Sequence, residues 1–233
     1  MTAQPFRVLG AVLAGGQSSR FGSDKGAAEW QGQSLLSHSV QALRDTCDEV
    51  VICGGSNEDI AQSPAWLQDI PESGLGPLGG LCAALAHARE HEFDAVLSVP
   101  VDAHPVPDGL LDRLAGEGPA ALDRHWLFGF WPSDLAGALE DHLQSGSRSV
   151  LSWIEACGAR MVDYAGREIV NVNTPAALDA LEAMSALGAA ADVYGAYELA
   201  FETGQAEEAA RIVPVEVPVA IEYNGIGYAV MMA

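Results

Sequence analysis

An α/β domain built on a mostly parallel sheet is what this sequence predicts, and three observations carry the prediction. Strand-like apolar runs alternate with stretches of helical spacing. A glycine-rich turn follows the first of those runs directly. The chain has 233 residues, 49% of them hydrophobic and 18% charged, so it is too apolar for a disordered segment. At this size roughly 70% of the unfolded surface can be buried, enough for a sizeable core without staples.

The elements follow in order. Val8 to Ala14 is a continuous apolar run, as a strand covered on both faces requires. Leu35 to Leu43 places apolar residues at 35, 36, 40 and 43, the spacing of an amphipathic helix, and Glu49 to Cys53 returns to strand. Trp66 to Asp69 reads as a short strand. Gly74 to Gly80 is a second glycine-rich turn, Leu81 to Ala88 a helix, and Ala95 to Val99 a strand ending at Pro100 and Asp102. Trp126 to Trp131 is aromatic and strand-like, Ser133 is placed to cap a helix to Leu143, and Ser149 to Cys157 is a further helix. Met161 to Tyr164 reads as strand, Asn171 to Pro175 as turn, and Ala176 to Met184 as a closing helix opened by Thr174 and Pro175. From Ala176 to Ala210 the chain carries seven acidic residues and no Lys or Arg, which predicts helix and linker. Beyond it, VPVEVPVAIEY and IGYAVMMA flank Asn224-Gly225, a hairpin signal.

Lys+Arg 11 against Asp+Glu 32 gives a formal charge of −21, which argues against a nucleic-acid duplex or an anionic membrane surface as partner. No apolar run approaches the roughly 20 residues of a membrane span, and the N-terminus lacks a signal peptide's basic start, so a soluble cytoplasmic protein is expected. Cys47, Cys53, Cys82 and Cys157 form no C-x-x-C pair and no zinc spacing, so reduced thiols are expected. The chain has ten arginines but one lysine, Lys25, just after the first glycine-rich turn. That position calls for a flexible, compact ammonium group.

The chemistry is concentrated in Leu13-Ala14-Gly15-Gly16-Gln17-Ser18-Ser19-Arg20-Phe21-Gly22-Ser23-Asp24-Lys25. Adjacent glycines at a strand's carboxyl end let main-chain N–H groups approach an anion, and Arg20 and Lys25 add charge to the same loop. Polyphosphate is the natural ligand. The string is neither G-x-x-x-x-G-K-[ST] nor G-x-G-x-x-G, so neither an ATPase nor a dehydrogenase follows from it.

With Gly76-Pro77-Leu78-Gly79-Gly80-Leu81, Pro100-Val101-Asp102 and Asn171-Val172-Asn173-Thr174-Pro175, this string resembles the MobA family of molybdenum cofactor guanylyltransferases over about residues 7 to 184. The resemblance implies a three-layer, Rossmann-like nucleotidyltransferase fold over residues 1–184. It also implies transfer of GMP from GTP to the terminal phosphate of molybdopterin, with release of pyrophosphate. By the same resemblance Leu13, Ala14, Gly15 and Gly16 contact the nucleotide, and Arg20 and Lys25 hold the phosphates and stabilise the departing pyrophosphate. Asp102 holds Mg²⁺, a hard cation that takes one or two carboxylates plus phosphate oxygens. Asp69 contacts the nucleotide, and Asn171 and Asn173 flank the cleft on the pterin side.

The sequence departs from the family at two places. The family's asparagine 28 positions after the lysine is Cys53 here, and a thiol cannot supply both an amide donor and an acceptor. The family's P-C-D-x-P reads Pro100-Val101-Asp102-Ala103-His104, with the proline delayed to Pro105. Cytidylyl transfer to the same acceptor therefore stays open as an enzymatic alternative. A non-catalytic molybdopterin-binding module serving formate dehydrogenase assembly stays open as an alternative of another class. Three further groups have ordinary readings beside functional ones: His104 as a turn residue, Arg148 as an exposed residue at a capped helix start or a phosphate ligand, and His87 with His91 as a solvated helix face.

Residues 185–210 are expected as an acidic, alanine-rich linker or helix. Residues 211–233 resemble the opening of the FdhD-type formate dehydrogenase accessory sulfurtransferases, so assembly factors of formate dehydrogenase are implied partners. The cysteines that serve that family lie downstream of the resembling segment, so no sulfur transfer is expected. Two strands without a third are marginal in water, and an appended hairpin here would need a surface to dock on.

Overall fold

The computed structural model describes residues 5–14, 28–54, 64–187, 191–200, 205–214, 218–223 and 226–232. It divides into two units, Met1–Asn173 and Thr174–Ala233. In chain order the first contains β1 (Val8–Leu13), β2 (Glu29–Trp30), β3 (Gln33–Ser34), α1 (Leu35–Arg44), β4 (Glu49–Cys53), β5 (Ala65–Leu67), α2 (Pro77–Glu90), β6 (Ala95–Pro100), β7 (Ala103–His104), α3 (Leu110–Leu114), β8 (Ala120–Leu122), β9 (His125–Pro132), α4 (Ala136–Gln144), α5 (Val150–Cys157), β10 (Arg160–Val162) and β11 (Val170–Asn171).

Seven strands form one sheet in the order β10-β8-β9-β6-β1-β4-β5. All pairs are parallel except those of β9, which runs antiparallel to both β6 and β8. Every residue of β1 is buried, and its alternation divides the core. Leu9, Ala11 and Leu13 pack in the layer with Leu78, Leu81 and Leu85 of α2, Leu139 of α4 and Trp153 of α5. Val8 and Val12 pack in the opposite layer with Leu36, Val40 and Leu43 of α1 and Leu110 and Leu114 of α3. The expected three-layer α/β architecture is therefore the one observed.

Several boundaries differ from the expected ones for identifiable reasons. Helix α2 starts at Pro77, not Leu81, because Pro presets the first helical turn and Gly76, at φ 71°, redirects the chain into it. Gly79 and Gly80 thus lie inside the helix, where close approach requires them. A Cβ at position 80 would fall 2.9 Å from the Cβ of Cys53, and one at position 79 would fall 3.0 Å from the Cβ of Asp69. The strand expected over 66–69 is β5, shifted to Ala65–Leu67, and the strand expected over 161–164 is β10, Arg160–Val162. Ser133 does not cap: it opens a 3₁₀ turn, Ser133–Leu135, ahead of α4, and that helix has no side-chain cap. Ser149 and Ser34 do cap, accepting from the N–H groups of Ser152 and Ser37. The short elements β2, β3, β7, α3, β8 and β11 carry too few residues to show periodicity.

In the second unit α6 spans Pro175–Leu187, and its first turn is capped by Thr174 Oγ1, which accepts from Ala177 N–H at 3.2 Å. This helix groups with the C-terminal unit, whereas residues 1–184 were expected as one domain. Residues 185–210 were expected as a linker or helix. Beyond α6 the described residues form an antiparallel pair, β12 (Ala191–Ala200) with β13 (Gln205–Pro214). The alanine content of this stretch favours helix, but Val193, Tyr194 and Tyr197 favour strand, and the strand preference prevails. The expected terminal hairpin is present as β14 (Pro218–Tyr223) against β15 (Ile226–Met232).

One polar network ties β6 to β9 inside the sheet. Ser98 on β6 donates its hydroxyl to the Leu127 carbonyl at 2.7 Å and accepts from Trp131 Nε1 at 2.9 Å. Ser98→Ala strands both partners in a site where Ser98 and Trp131 are almost wholly buried. An unsatisfied buried group costs about 1–3 kcal/mol, so urea denaturation should show a loss of at least about 2 kcal/mol. An unchanged midpoint would mean that the network contributes nothing.

Candidate active site

The strand order places β4 on one side of β1 and β6 on the other. The chain builds outward from β1 through β4 and β5, then returns to the opposite edge for β6. Connections leaving β1 and β6 therefore diverge, and a crevice opens beyond their carboxyl ends. Leu13 sits in register with Cys53 on one side and Pro100 on the other. Ala14 N–H donates to the Cys53 carbonyl at 2.8 Å, and Val101 N–H donates to the Leu13 carbonyl at 3.1 Å. Gly15, Gly16, Arg20 and Lys25 lie outside the described residues. The structure describes the strand end from which their loop departs.

Asp102 is half-buried in the turn after β6. Its carbonyl accepts from Val172 N–H at 2.6 Å, and the neighbouring pair Ala103–Asn171 joins β7 to β11. That short antiparallel ladder brings Asp102 and Asn171 to one cavity of about 200 Å³, whose other walls are Arg124, His125, Trp126, Leu127, Phe128 and Val150. Asn173 follows directly, its N–H donating to the Asn171 carbonyl at 2.9 Å.

Asp69 lies on the β4 side of the crevice. Its Oδ2 accepts from Gly74 N–H at 3.3 Å, while Oδ1 is buried with no hydrogen-bond partner among the described residues. Burial raises its carboxyl above the ordinary value, and the Gly74 bond opposes that rise. Leu13, Cys53 and Asp69 Oδ1 surround the position that a Cβ on Gly80 would take. Cys53 is 1% exposed, and burial, reinforced by the Asp69 charge, pushes its thiol up. It fills space as a protonated, apolar group.

His104 was expected as a turn residue. It is 1% exposed and forms a ring cluster with Trp30 and His38, with centroids 5.7 and 6.2 Å away. Its Nε2 donates to the Val101 carbonyl at 3.0 Å, spanning the turn that carries Asp102. The departure from the family's proline spacing thus supplies a buried tether for the acidic turn. Burial drives the ring's pKa down to about 4.

The remaining candidates sit apart from the cavity. Arg148 pairs with Glu72 at 3.5 Å, both exposed. His87 and His91 stack at 4.0 Å, with Glu49 3.9 Å from His87 Nε2. No group of three or more His, Cys, Asp or Glu among the described residues is arranged to hold a metal. No described helix is long and apolar enough to cross a membrane. Sequence reasoning missed the wall formed by Arg124 to Phe128; its one signal was a dense aromatic run, which strand formation explained equally well.

The crevice beyond the carboxyl ends of β1 and β6, with the acidic turn of Asp102 on one side and Asp69 on the other, lies where a doubly wound sheet binds its ligand. Residues 10–162 match the MobA-like NTP transferase domain, and the chain belongs to that family. It is 34% identical over 205 residues to the molybdenum cofactor guanylyltransferase of Sinorhizobium fredii, covering 78% of this chain and 93% of that one. It is 32% identical over 182 residues to the enzyme of the same name from Pseudomonas paraeruginosa, covering 70% and 89%. The fold is shared with molybdopterin-guanine dinucleotide biosynthesis protein A of Archaeoglobus fulgidus, at a TM-score of 0.60 and 19% identity over 78% of this chain and 100% of that one.

The His104 tether predicts a pH dependence. The unfolded imidazole binds protons near its ordinary value of 6.5 and the folded one only near 4. Protons therefore favour the unfolded chain in that window, so this contribution to stability is complete above about pH 6.5 and lost as pH falls toward 4. The charged neighbours are His38, which lowers the ring's pKa, and Asp102, which raises it. Urea midpoints at pH 7 and 4.5 should fall less in His104→Gln than in the parent; equal falls would show that this histidine does not carry the dependence.

Proposed function

We propose that this enzyme transfers GMP from GTP to the terminal phosphate of molybdopterin, forming a guanine dinucleotide and releasing pyrophosphate. An acceptor phosphate oxygen attacks the α-phosphorus, the bond from that phosphorus to the bridging oxygen of the β-phosphate breaks, and the electron pair leaves on pyrophosphate. No protein nucleophile is needed. The chain's task is alignment and charge neutralisation.

The choice of guanine is supported by relatives named molybdenum cofactor guanylyltransferases at 32–34% identity, and Asp69, packed beside the strand end from which the nucleotide loop departs, is the group assigned to the base. Guanine presents two adjacent donors, N1–H and the 2-amino group, that a carboxylate can accept together. Cytosine offers only its 4-amino donor on that edge. Buried Cys53 is not needed for the base, so its replacement of the family's asparagine leaves guanine recognition to Asp69 and the main chain.

Leu13, Ala14, Gly15 and Gly16 would bind the nucleotide through main-chain groups, Arg20 and Lys25 would hold the triphosphate, and Asn171 and Asn173 would face the acceptor. Enzymes of this family typically use a divalent metal, and the donor set here suits Mg²⁺. A single half-buried carboxylate is insufficient for a closed protein cage but appropriate for an ion completed by phosphate oxygens and water. Asp102 would hold it, and when bound it supplies positive charge between the two anionic substrates. Asp102 itself is fixed by the Val172 bond and by the His104 tether next to it. Delivery of the product to formate dehydrogenase assembly factors is the reading suggested by the C-terminal segment.

Pyrophosphate release with molybdopterin and each NTP should occur with GTP alone; equal rates with CTP would overturn the guanine assignment. Asp102→Asn should lower kcat by about a hundredfold or more, the loss typical when one charge-stabilising group is removed, with an unchanged circular dichroism spectrum. Near-parental turnover at saturating Mg²⁺ would remove Asp102 from the metal site. Lys25→Ala should weaken GTP binding and slow transfer together, and unchanged values of both would end its phosphate role.

A further inference from the structure

We infer that the cavity between Asp102 and the β8–β9 corner is the subsite for the acceptor's planar heterocycle, with Trp126 as its specificity-determining stacking face. The identity of the acceptor rests on the guanylyl-transfer reading. The cavity itself is a consequence of strand geometry. The β6–β9 ladder runs from Ala95–Pro132 to Ser98–Gly129 and stops there. Two residues later comes Pro100, which has no N–H to offer a ladder. On the other edge of β9, Ala121 opposes Gly129 but Leu122 opposes His125, so Trp126, Leu127 and Phe128 have no ladder partners on β8. This stretch has no ladder partner on either neighbour, and the Ser98 hydroxyl bonds the Leu127 carbonyl in place of a ladder N–H. The cavity is lined by this unladdered stretch.

Its lining selects the ligand class. Trp126 and Leu127 are half-buried and Phe128 fully buried; with Val150 they form apolar walls, and Asp102 and Asn171 contribute a carboxylate and an amide at the side joined to the crevice. The one arginine of the lining, Arg124, is 89% exposed and paired with Asp123 at 3.8 Å, so it belongs to the rim. An anionic group placed inside would lose water and face Asp102. A flat, uncharged ring with N–H donors meets aromatic, amide and carboxylate groups together. At about 200 Å³ the space is below the roughly 300–1,000 Å³ of sites that enclose a whole drug-sized ligand, so it takes one fused ring system. The acceptor's phosphate is then left at the Asp102 mouth, on the side where the nucleotide loop departs.

Stacking on an aromatic side chain contributes about 1–3 kcal/mol per ring system, so its removal weakens binding on the order of tenfold. Trp126→Ala should raise KM for molybdopterin on the order of tenfold, leaving kcat at saturating acceptor and the GTP dissociation constant unchanged, and Trp126→Phe should restore most of the loss. Val150→Phe fills the cavity from α5 and should have the same effect without touching Trp126. The isolated probe 6-hydroxymethylpterin should quench intrinsic tryptophan fluorescence of the parent protein and not of Trp126→Ala or Val150→Phe. Parental acceptor KM in both folded variants would overturn the subsite while leaving guanylyl transfer intact. A parent that binds the pterin probe at this cavity yet transfers no GMP to molybdopterin would overturn the functional reading while leaving the subsite intact.

Discussion

Strand β1 is bonded on both edges and buried on both faces, and this constraint fixes where chemistry can occur. All six of its residues are buried, so the strand can present functional groups only beyond Leu13. There the β4 side supplies Cys53 and, in the loop between β5 and α2, Asp69, while the β6 side supplies the acidic turn. Two backbone bonds, Ala14 N–H to Cys53 and Val101 N–H to Leu13, extend the ladder register just past the strand ends. The start of the glycine-rich loop and the approach to Asp102 are therefore positioned by the rigid centre of the sheet, with side-chain rotamers contributing little. For a reaction that depends on alignment of two anions, main-chain placement of this kind is an advantage.

The two sides of the crevice are built differently. On the β4 side the approach is tight: glycines at 79 and 80 let the first turn of α2 close on Asp69 and Cys53. The result is a small, closely packed corner beside a half-buried carboxylate. On the β6 side the ladder is interrupted: it ends before Pro100, and the irregular β8–β9 register leaves Trp126 to Phe128 without ladder partners. The result there is a roomier, aromatic wall. The corner proposed for base recognition and the wall proposed for stacking thus belong to one sheet, at a tightly packed junction and at an interrupted ladder.

Much of this was legible in the sequence where a physical signal is local. The unbroken apolar run at Val8 predicted a strand covered twice, the spacing from Leu35 predicted α1, and the family resemblance of the Pro100-Val101-Asp102 string made Asp102 a candidate. What was not legible depends on contacts distant in sequence. Gly79 and Gly80 looked like turn residues because the reason for two glycines inside a helix is a pair of side chains on other elements. His104 looked like a turn histidine because its tether partners include residues 30, 38 and 39, on β2 and α1. The Trp126 wall was concealed for a different reason: a run of aromatics suits a strand and a stacking surface equally, and only the ladder register separates the two.

A chain of net charge −21 sets up a long-range field that repels a triphosphate and a phosphorylated acceptor. Attraction must then come from groups acting at hydrogen-bond range, which are far less affected by the distant surface than an approaching ligand is. Main-chain N–H groups at a strand end are such donors, as is a lone lysine in the adjoining loop. A divalent ion held by a single carboxylate is most useful under the same condition, because the substrate phosphates complete its shell and the net negative protein does not have to. Lys25, the one lysine among eleven basic residues, is the group proposed to add an ammonium where an anion has to be held.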